Sequence, residues 1–265
     1  LAGNAPEETK RRVQGNLALA DEKLNQQALV PVDGGTVSFP PPPEPQLIRG
    51  IHASYPVFKT IHIVWIGDQS RCPKSCIDSW RAMNPSWSVK VWGNDELSTF
   101  NWKTRYQLRK LVTWELNAAA DVMRWEILEA LGGFAVDADS RCIRALEDWL
   151  FEASPFACWE NERVRPGLVA AGYVYARPGD RLISRILQAV VDDTDITGDV
   201  GWEKTGPQLL TDVIANSSDT TVTVYPSHFF IPKHYDAPAY TGSGPVFAEQ
   251  YWGSKPGVYE RLASE

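Results

Sequence analysis

From residue 57 onward, short apolar runs alternate with longer amphipathic stretches. Thr60 to Ile66 is a β-rich apolar run, Lys74 to Met83 has helical spacing, and Ser88 to Trp92 returns to a strand-like alternation. Tyr106 to Leu131 reads as mostly helical, with Asn117 placed to break or cap it. Phe134 to Asp137, a run ending in Phe156-Ala157-Cys158-Trp159, and Leu168 to Ala176 read as strands. Arg181 to Val191 and Pro207 to Ala215 follow as helices, and Thr221 to Tyr225 as a further strand. Strands alternating with helices predict an α/β fold, one sheet with helices on both faces.

The first residues break this pattern. A polar, helix-compatible stretch around Glu7 to Arg12 leads into Pro40-Pro41-Pro42-Pro43-Glu44-Pro45, which holds the chain extended. The expected organisation is therefore a helical segment and Pro-rich linker over residues 1–46 and one folded domain over 47–265. A chain of 265 residues supports one substantial core. Its net charge of −7 argues against a nucleic-acid partner. No run approaches the roughly 20 apolar residues of a membrane span, so none is expected. A start at Leu1 leaves the compartment open: cytoplasm for a bacterial protein, Golgi lumen for a eukaryotic one trimmed of an anchor. Cys72, Cys76, Cys142 and Cys158 lack the paired spacing of a structural zinc site and read as ordinary buried thiols.

Candidate chemistry concentrates between Asp121 and Asp139. On a helical wheel Asp121 and Arg124 fall inside an arc of apolar residues, where solvation does not explain them. They form either a buried structural ion pair or a polar wall of a cleft, Arg124 suiting phosphate or sugar oxygens and Asp121 suiting hydroxyls. Gly132-Gly133 ends the helix. If the next strand runs through Asp137-Ala138-Asp139, its period of two puts both carboxylates on one side. The C-terminal end of a sheet strand is where α/β folds bind ligands, and paired carboxylates are hard oxygen ligands for Mg²⁺ or Mn²⁺ bridged to a diphosphate. His62 reads as a packed core histidine, while Glu160, Glu162, His228 and His234 are weaker candidates for a second substrate's side.

Taken in order, Ala120-Asp121-x-x-Arg124, Gly132-Gly133 and Asp137-Ala138-Asp139 resemble the core signature of DXD-containing sugar transferases of glycosyltransferase family 32. That group includes fungal α-mannosyltransferases and bacterial capsular polysaccharide enzymes, and the catalytic core of glucosylating clostridial toxins is similar. Lys59 to Gly67, Ser79-Trp80, Asn84-Pro85, Val91-Trp92, Thr205-Gly206-Pro207 and Tyr225-Pro226 fit further positions, so the resemblance spans about residues 57 to 255. It implies a GT-A-type mixed sheet flanked by helices, and a retaining transferase that moves a hexose from a nucleotide-sugar donor to a glycan, glycolipid or protein acceptor.

By the same resemblance, Val64, Trp65 and Ile66 form the nucleoside pocket, and Trp65 favours a UDP-sugar over a GDP-sugar. Asp121 and Arg124 take the donor sugar and diphosphate. Asp137 contacts ribose, sugar or metal-bound water, and Asp139 ligates Mn²⁺ or Mg²⁺, with Glu249, Gln250 or Ser254 completing the shell. Two departures stand out: Ala135 replaces a usual Tyr, whose contact another ring such as Phe134 would have to supply, and Gln250 replaces a usual His in the closing motif. They motivate an alternative reading as a non-catalytic sugar-nucleotide-binding module, beside that of a toxin-like protein glycosyltransferase.

Overall fold

β-Branched and aromatic residues draw Thr60–Val64 (β1) and Ser88–Trp92 (β2) into a parallel pair, and the amphipathic helix Lys74–Met83 (α1) connects them. The structure is a computed structural model that describes residues 56–197, 200–217 and 222–265. The helical segment and linker expected over residues 1–46 lie outside the described residues. After β2 come the short helix Asn94–Thr99 (α2), then Arg105–Trp114 (α3) and Leu116–Leu131 (α4). The helical stretch foreseen from Tyr106 breaks at Glu115, whose backbone is extended, and not at Asn117. The reason is tertiary: the Glu115 carboxylate accepts the Gly201 N–H at 3.0 Å.

Gly132 and Gly133 turn the chain from α4 into Gly133–Val136 (β3), both with positive φ. A Cβ on Gly133 would come within 2.6 Å of the Thr60 carbonyl, so only glycine lets β3 lie against β1. The chain continues through Ser140–Cys142 (β4), Phe156–Asn161 (β5), Arg165–Ala176 (β6), the helices Arg181–Asp192 (α5), Gly201–Lys204 (α6) and Pro207–Asn216 (α7), and Thr223–Tyr225 (β7). It closes with Ala248–Gln250 (β8) and Val258–Ser264 (α8). The main sheet has six strands in the order β2-β1-β3-β6-β5-β7, parallel at both edges and antiparallel where β6 meets β3 and β5. A separate antiparallel pair joins β4 to β8.

Alternation along the strands builds two cores. Ile61, Ile63, Phe134 and Val136 face α1 and the aromatic residues Phe156, Phe230 and Phe247. Ala135, Val174 and Ala176 face Trp125 and Leu128 of α4, with α5 and α7 beside them. A third cluster packs α3 on α4 around Trp92, Leu111 and Met123. Helices thus cover both faces, as the alternating pattern foresaw.

On β6 the alternation slips. Phe156 pairs with Tyr175, but Cys158 pairs with Ala170, so β6 carries a bulge around Gly172. That irregularity lies beside the cleft at the C-terminal ends of β1 and β3.

Candidate active site at the ends of the central strands

Arg124 is the organising residue. It is buried on α4, where its Nη1 donates to Asp121 Oδ1 at 2.7 Å and to the Ala171 carbonyl at 2.8 Å, while Nη2 donates to Asp137 Oδ1. The β6 bulge makes this possible. It presents the Ala171 carbonyl to the guanidinium, and the neighbouring Gly172 carbonyl accepts the Asp137 N–H at 3.0 Å. Asp121 lies against the 205–207 loop, where a Cβ on Gly206 would fall 2.8 Å from Asp121 Oδ2. The two readings of the pair are therefore compatible: Asp121 and Arg124 are bonded to each other and both line the cleft.

Asp137 and Asp139 follow β3 on a turn in which Ser140 N–H bonds back to the Asp137 carbonyl. Their placement depends on distant elements. From α1, Trp80 Nε1 donates to the Ser140 carbonyl at 3.0 Å, Ser79 Oγ accepts Cys142 N–H at 2.8 Å, and Asn84 Oδ1 accepts Leu146 N–H at 2.8 Å. Pairing of β4 with β8 sets Gln250 opposite Ser140, next to Asp139. Gln250 Nε2 then spans the acidic pair, 3.0 Å from Asp139 Oδ1 and 3.3 Å from Asp137 Oδ2, while its Oε1 accepts the Tyr173 hydroxyl at 2.6 Å. Gly253 N–H donates to Asp139 Oδ2 at 2.5 Å.

Burial dominates the electrostatics. It pushes Asp121 up to about 7 despite Arg124 beside it, with Asp137 adding to the rise. Asp139 is pushed up to about 6 by burial and then by the charge of Asp137, against the hydrogen bonds from Gly253 and Gln250. Three carboxylates thus meet one buried guanidinium, an excess of negative charge that suits a cation. Among the described residues no three His, Cys, Asp or Glu side chains gather as a metal cage. What the site offers is two carboxylates with Ser254 on the cleft wall, while Gln250 turns its N–H₂, and not the Oε1 held by Tyr173, toward the acidic pair. This oxygen-rich, incomplete set is of the kind that holds Mg²⁺ or Mn²⁺ together with substrate phosphates.

The cleft measures about 910 Å³, and Val64, Trp65 and Ile66 line its other wall. Tyr259 of α8 stands edge-on to Trp65 at 4.9 Å between ring centroids, and Arg71 ties α8 to this wall through Glu260 at 2.6 Å. The remaining sequence candidates separate. Glu249 is exposed, lies outside the cleft lining and has the Tyr251 hydroxyl at 3.3 Å. Phe134 and Ala135 are both buried in the cores, so neither ring nor methyl reaches the cleft. His62 is a core residue: Trp92 Nε1–H donates to its Nδ1 at 3.1 Å and its Nε2–H donates to the Gly132 carbonyl at 2.9 Å. Glu160 lines the far end of the cleft, whereas His228 stacks on Tyr240 away from it. Tyr173 and Tyr259 went unread in the sequence, since one looks like an ordinary strand aromatic and the other lies in a short terminal helix.

Residues 71–155, which contain Asp121, Arg124, Asp137 and Asp139, match the family described as the glycosyltransferase sugar-binding region containing a DXD motif. Over these residues the chain is similar to the DXD sugar-binding region of glycosyltransferases. Its six-stranded mixed sheet flanked by helices is the GT-A arrangement, and it is similar to the structure titled PaToxG glycosyltransferase, with a TM-score of 0.50 and 15% identity over 60% of this chain and 69% of that one. Two further structures show weaker likeness. One is the galactosyltransferase LgtC with donor and acceptor sugar analogues, at TM-score 0.44 and 13% identity over 77% of this chain and 95% of that one. The other is the UDP-bound glycosyltransferase domain of the YGT toxin, at TM-score 0.40 and 10% identity over 59% and 76%. No curated protein sequence matches the chain.

Proposed function

We propose that the protein is a retaining, metal-dependent hexosyltransferase of the family 32 type, which uses a nucleoside diphosphate sugar, UDP-linked in preference to GDP-linked, and a glycan or glycolipid hydroxyl. The convergence of Asp121, Arg124, Asp137 and Asp139 on one cleft carries this reading. Transfer breaks the bond between the anomeric carbon and the diphosphate oxygen, forms one to the acceptor oxygen, and releases the nucleoside diphosphate with the acceptor's proton. Asp139 and Asp137 would hold a divalent ion, which when bound would supply Lewis-acid stabilisation of the leaving diphosphate. Arg124 adds a fixed positive charge on the same side, and its desolvated setting strengthens that contribution. Trp65 offers the nucleobase an aromatic wall at the mouth of the cleft.

Retention is supported by what the carboxylates are doing. Asp121 and Asp137 both hold Arg124, and Asp139 accepts bonds from Gln250 and Gly253. None is placed as a free nucleophile, which favours attack by the acceptor on the face from which the diphosphate departs. The test is Asp139→Asn, assayed as hydrolysis and transfer from UDP- and GDP-hexoses with Mn²⁺ and after chelation. A loss of about 100-fold or more is expected, the scale of removing one preorganised electrostatic contact. Undiminished turnover by the variant, or by the chelated wild type, would overturn the proposal.

A further inference from the structure

Past the acidic pair, the cleft runs on to a second polar cluster that the donor reading leaves unused. Glu160 sits near the end of β5, two strands from β3, which places it about 10 Å across the sheet from the strand carrying Asp137. Its carboxylate is 13% exposed and lies 3.8 Å from Arg165 Nε and 3.4 Å from Nε2 of the fully buried His234. The Asp236 N–H donates to His234 Nδ1 at 3.1 Å, so the ring proton is on Nε2 and faces Glu160. Arg165 also donates to the Tyr235 hydroxyl at 3.3 Å, and its guanidinium lies 5.8 Å over the half-exposed Trp202 ring.

Trp252 borders the same end. It is the only non-glycine residue with positive φ among those described, at 58°. A bulky residue held there is strained, and such strain persists where surrounding contacts impose it, often at binding sites. Here the contacts are rings: Trp252 is 4.9 Å from Tyr235 and 4.8 Å from His234, and its Nε1 donates to the Lys233 carbonyl at 3.1 Å.

We propose that this end of the cleft, formed by Glu160, Arg165, Trp202, Tyr235 and Trp252, is the acceptor subsite and takes a pyranose ring of a glycan. A pyranose presents C–H groups on a face and hydroxyls on its rim. Aromatic surfaces take the first, while a carboxylate that accepts and a guanidinium that donates take the second. A distance of two strands from the acidic pair leaves room for the donor hexose between them. A volume of about 910 Å³ holds a donor and one further ring. His234 is a positioning residue, acting through Glu160. The inference rests on the donor reading above for the direction of transfer.

The experiment uses the full chain with Mn²⁺ and labelled UDP- and GDP-hexoses, against a panel of methyl and p-nitrophenyl hexopyranosides. Trp202→Ala, Tyr235→Ala and Glu160→Gln are expected to raise KM for the accepting glycoside about tenfold or more, the loss of one good contact. Donor hydrolysis without acceptor is expected to fall less than transfer does, because these three side chains make none of the hydrogen bonds that hold Arg124 and the acidic pair. Saturation-transfer NMR of the same glycosides tests the subsite without turnover, with binding to the wild type and loss in Trp202→Ala as the expected result. An unchanged acceptor KM in all three variants, absence of glycoside binding to the wild type, or transfer of label only to proteins would overturn the inference. Failure of every donor to turn over while glycosides still bind at Trp202 would instead reject the donor reading.

Discussion

Arg124 connects residues that are far apart in the chain, and its replacement separates charge from geometry. Lysine keeps the charge but has no planar fork to serve Asp121, Asp137 and the Ala171 carbonyl together. Arg124→Lys should lose donor binding and destabilise the fold by about 3 kcal/mol, since a buried carboxylate is left without its partner. Urea unfolding and nucleotide-sugar titration together check this. At His62 the prediction concerns pH. Burial, with Lys90 adding, lowers His62 to about 4 from its ordinary 6.5, against the Gly132 hydrogen bond that raises it. The unfolded chain therefore takes up this proton first as pH falls. The contribution of His62 is intact above about 6.5 and lost progressively toward 4, by roughly 3 kcal/mol. Unfolding free energies at pH 7 and pH 4.5 should show that slope in the wild type and a flatter one in His62→Gln.

Among the elements, the β6 bulge matters most for the site. A Cβ on Gly172 would stand 2.3 Å from Asp137 Oδ2, so Gly172→Ala must displace that carboxylate. We expect at least a tenfold fall in donor turnover, with a stability loss of about 1–3 kcal/mol from overpacking, read by activity and thermal unfolding side by side. Helix α3 depends on a different device. Glu126 of α4 accepts the N–H groups of Lys103 and Thr104 at its start, together with the Thr104 hydroxyl at 2.7 Å. Glu126→Ala strands those donors and should cost about 1–3 kcal/mol in chemical denaturation while leaving donor KM unchanged. The sequence made β1, α1, β2 and α7 legible because each has a strong period or a clear cap. It could not reveal β4 and β8, three residues each, since their pairing is set by α1 and the closing loop and not by local pattern. The bulge was hidden for a related reason: Val169 to Ala176 reads as one uniform apolar run, and only the partner strand shows the slip in register. Asp121, Arg124, Asp137 and Asp139 were readable as candidates because charge inside an apolar pattern demands a reason. Tyr173 carried no such mark.

Across the whole molecule, Arg124 draws oxygen atoms from α4, from the turn after β3 and from the β6 bulge, contacts up to 47 residues apart in sequence. Such a knot forms only when the sheet has closed, and a ligand that engages it is thermodynamically linked to global folding. Nucleotide sugars should therefore raise the unfolding temperature in the presence of Mn²⁺ by amounts that rank their affinities, UDP-hexoses above GDP-hexoses. Equal shifts for both nucleotides would remove the preference assigned to Trp65. The same linkage makes thermal stabilisation a reporter of donor identity that needs neither an acceptor nor a single catalytic turnover, because occupancy of the cleft and integrity of the sheet are one equilibrium seen from two sides.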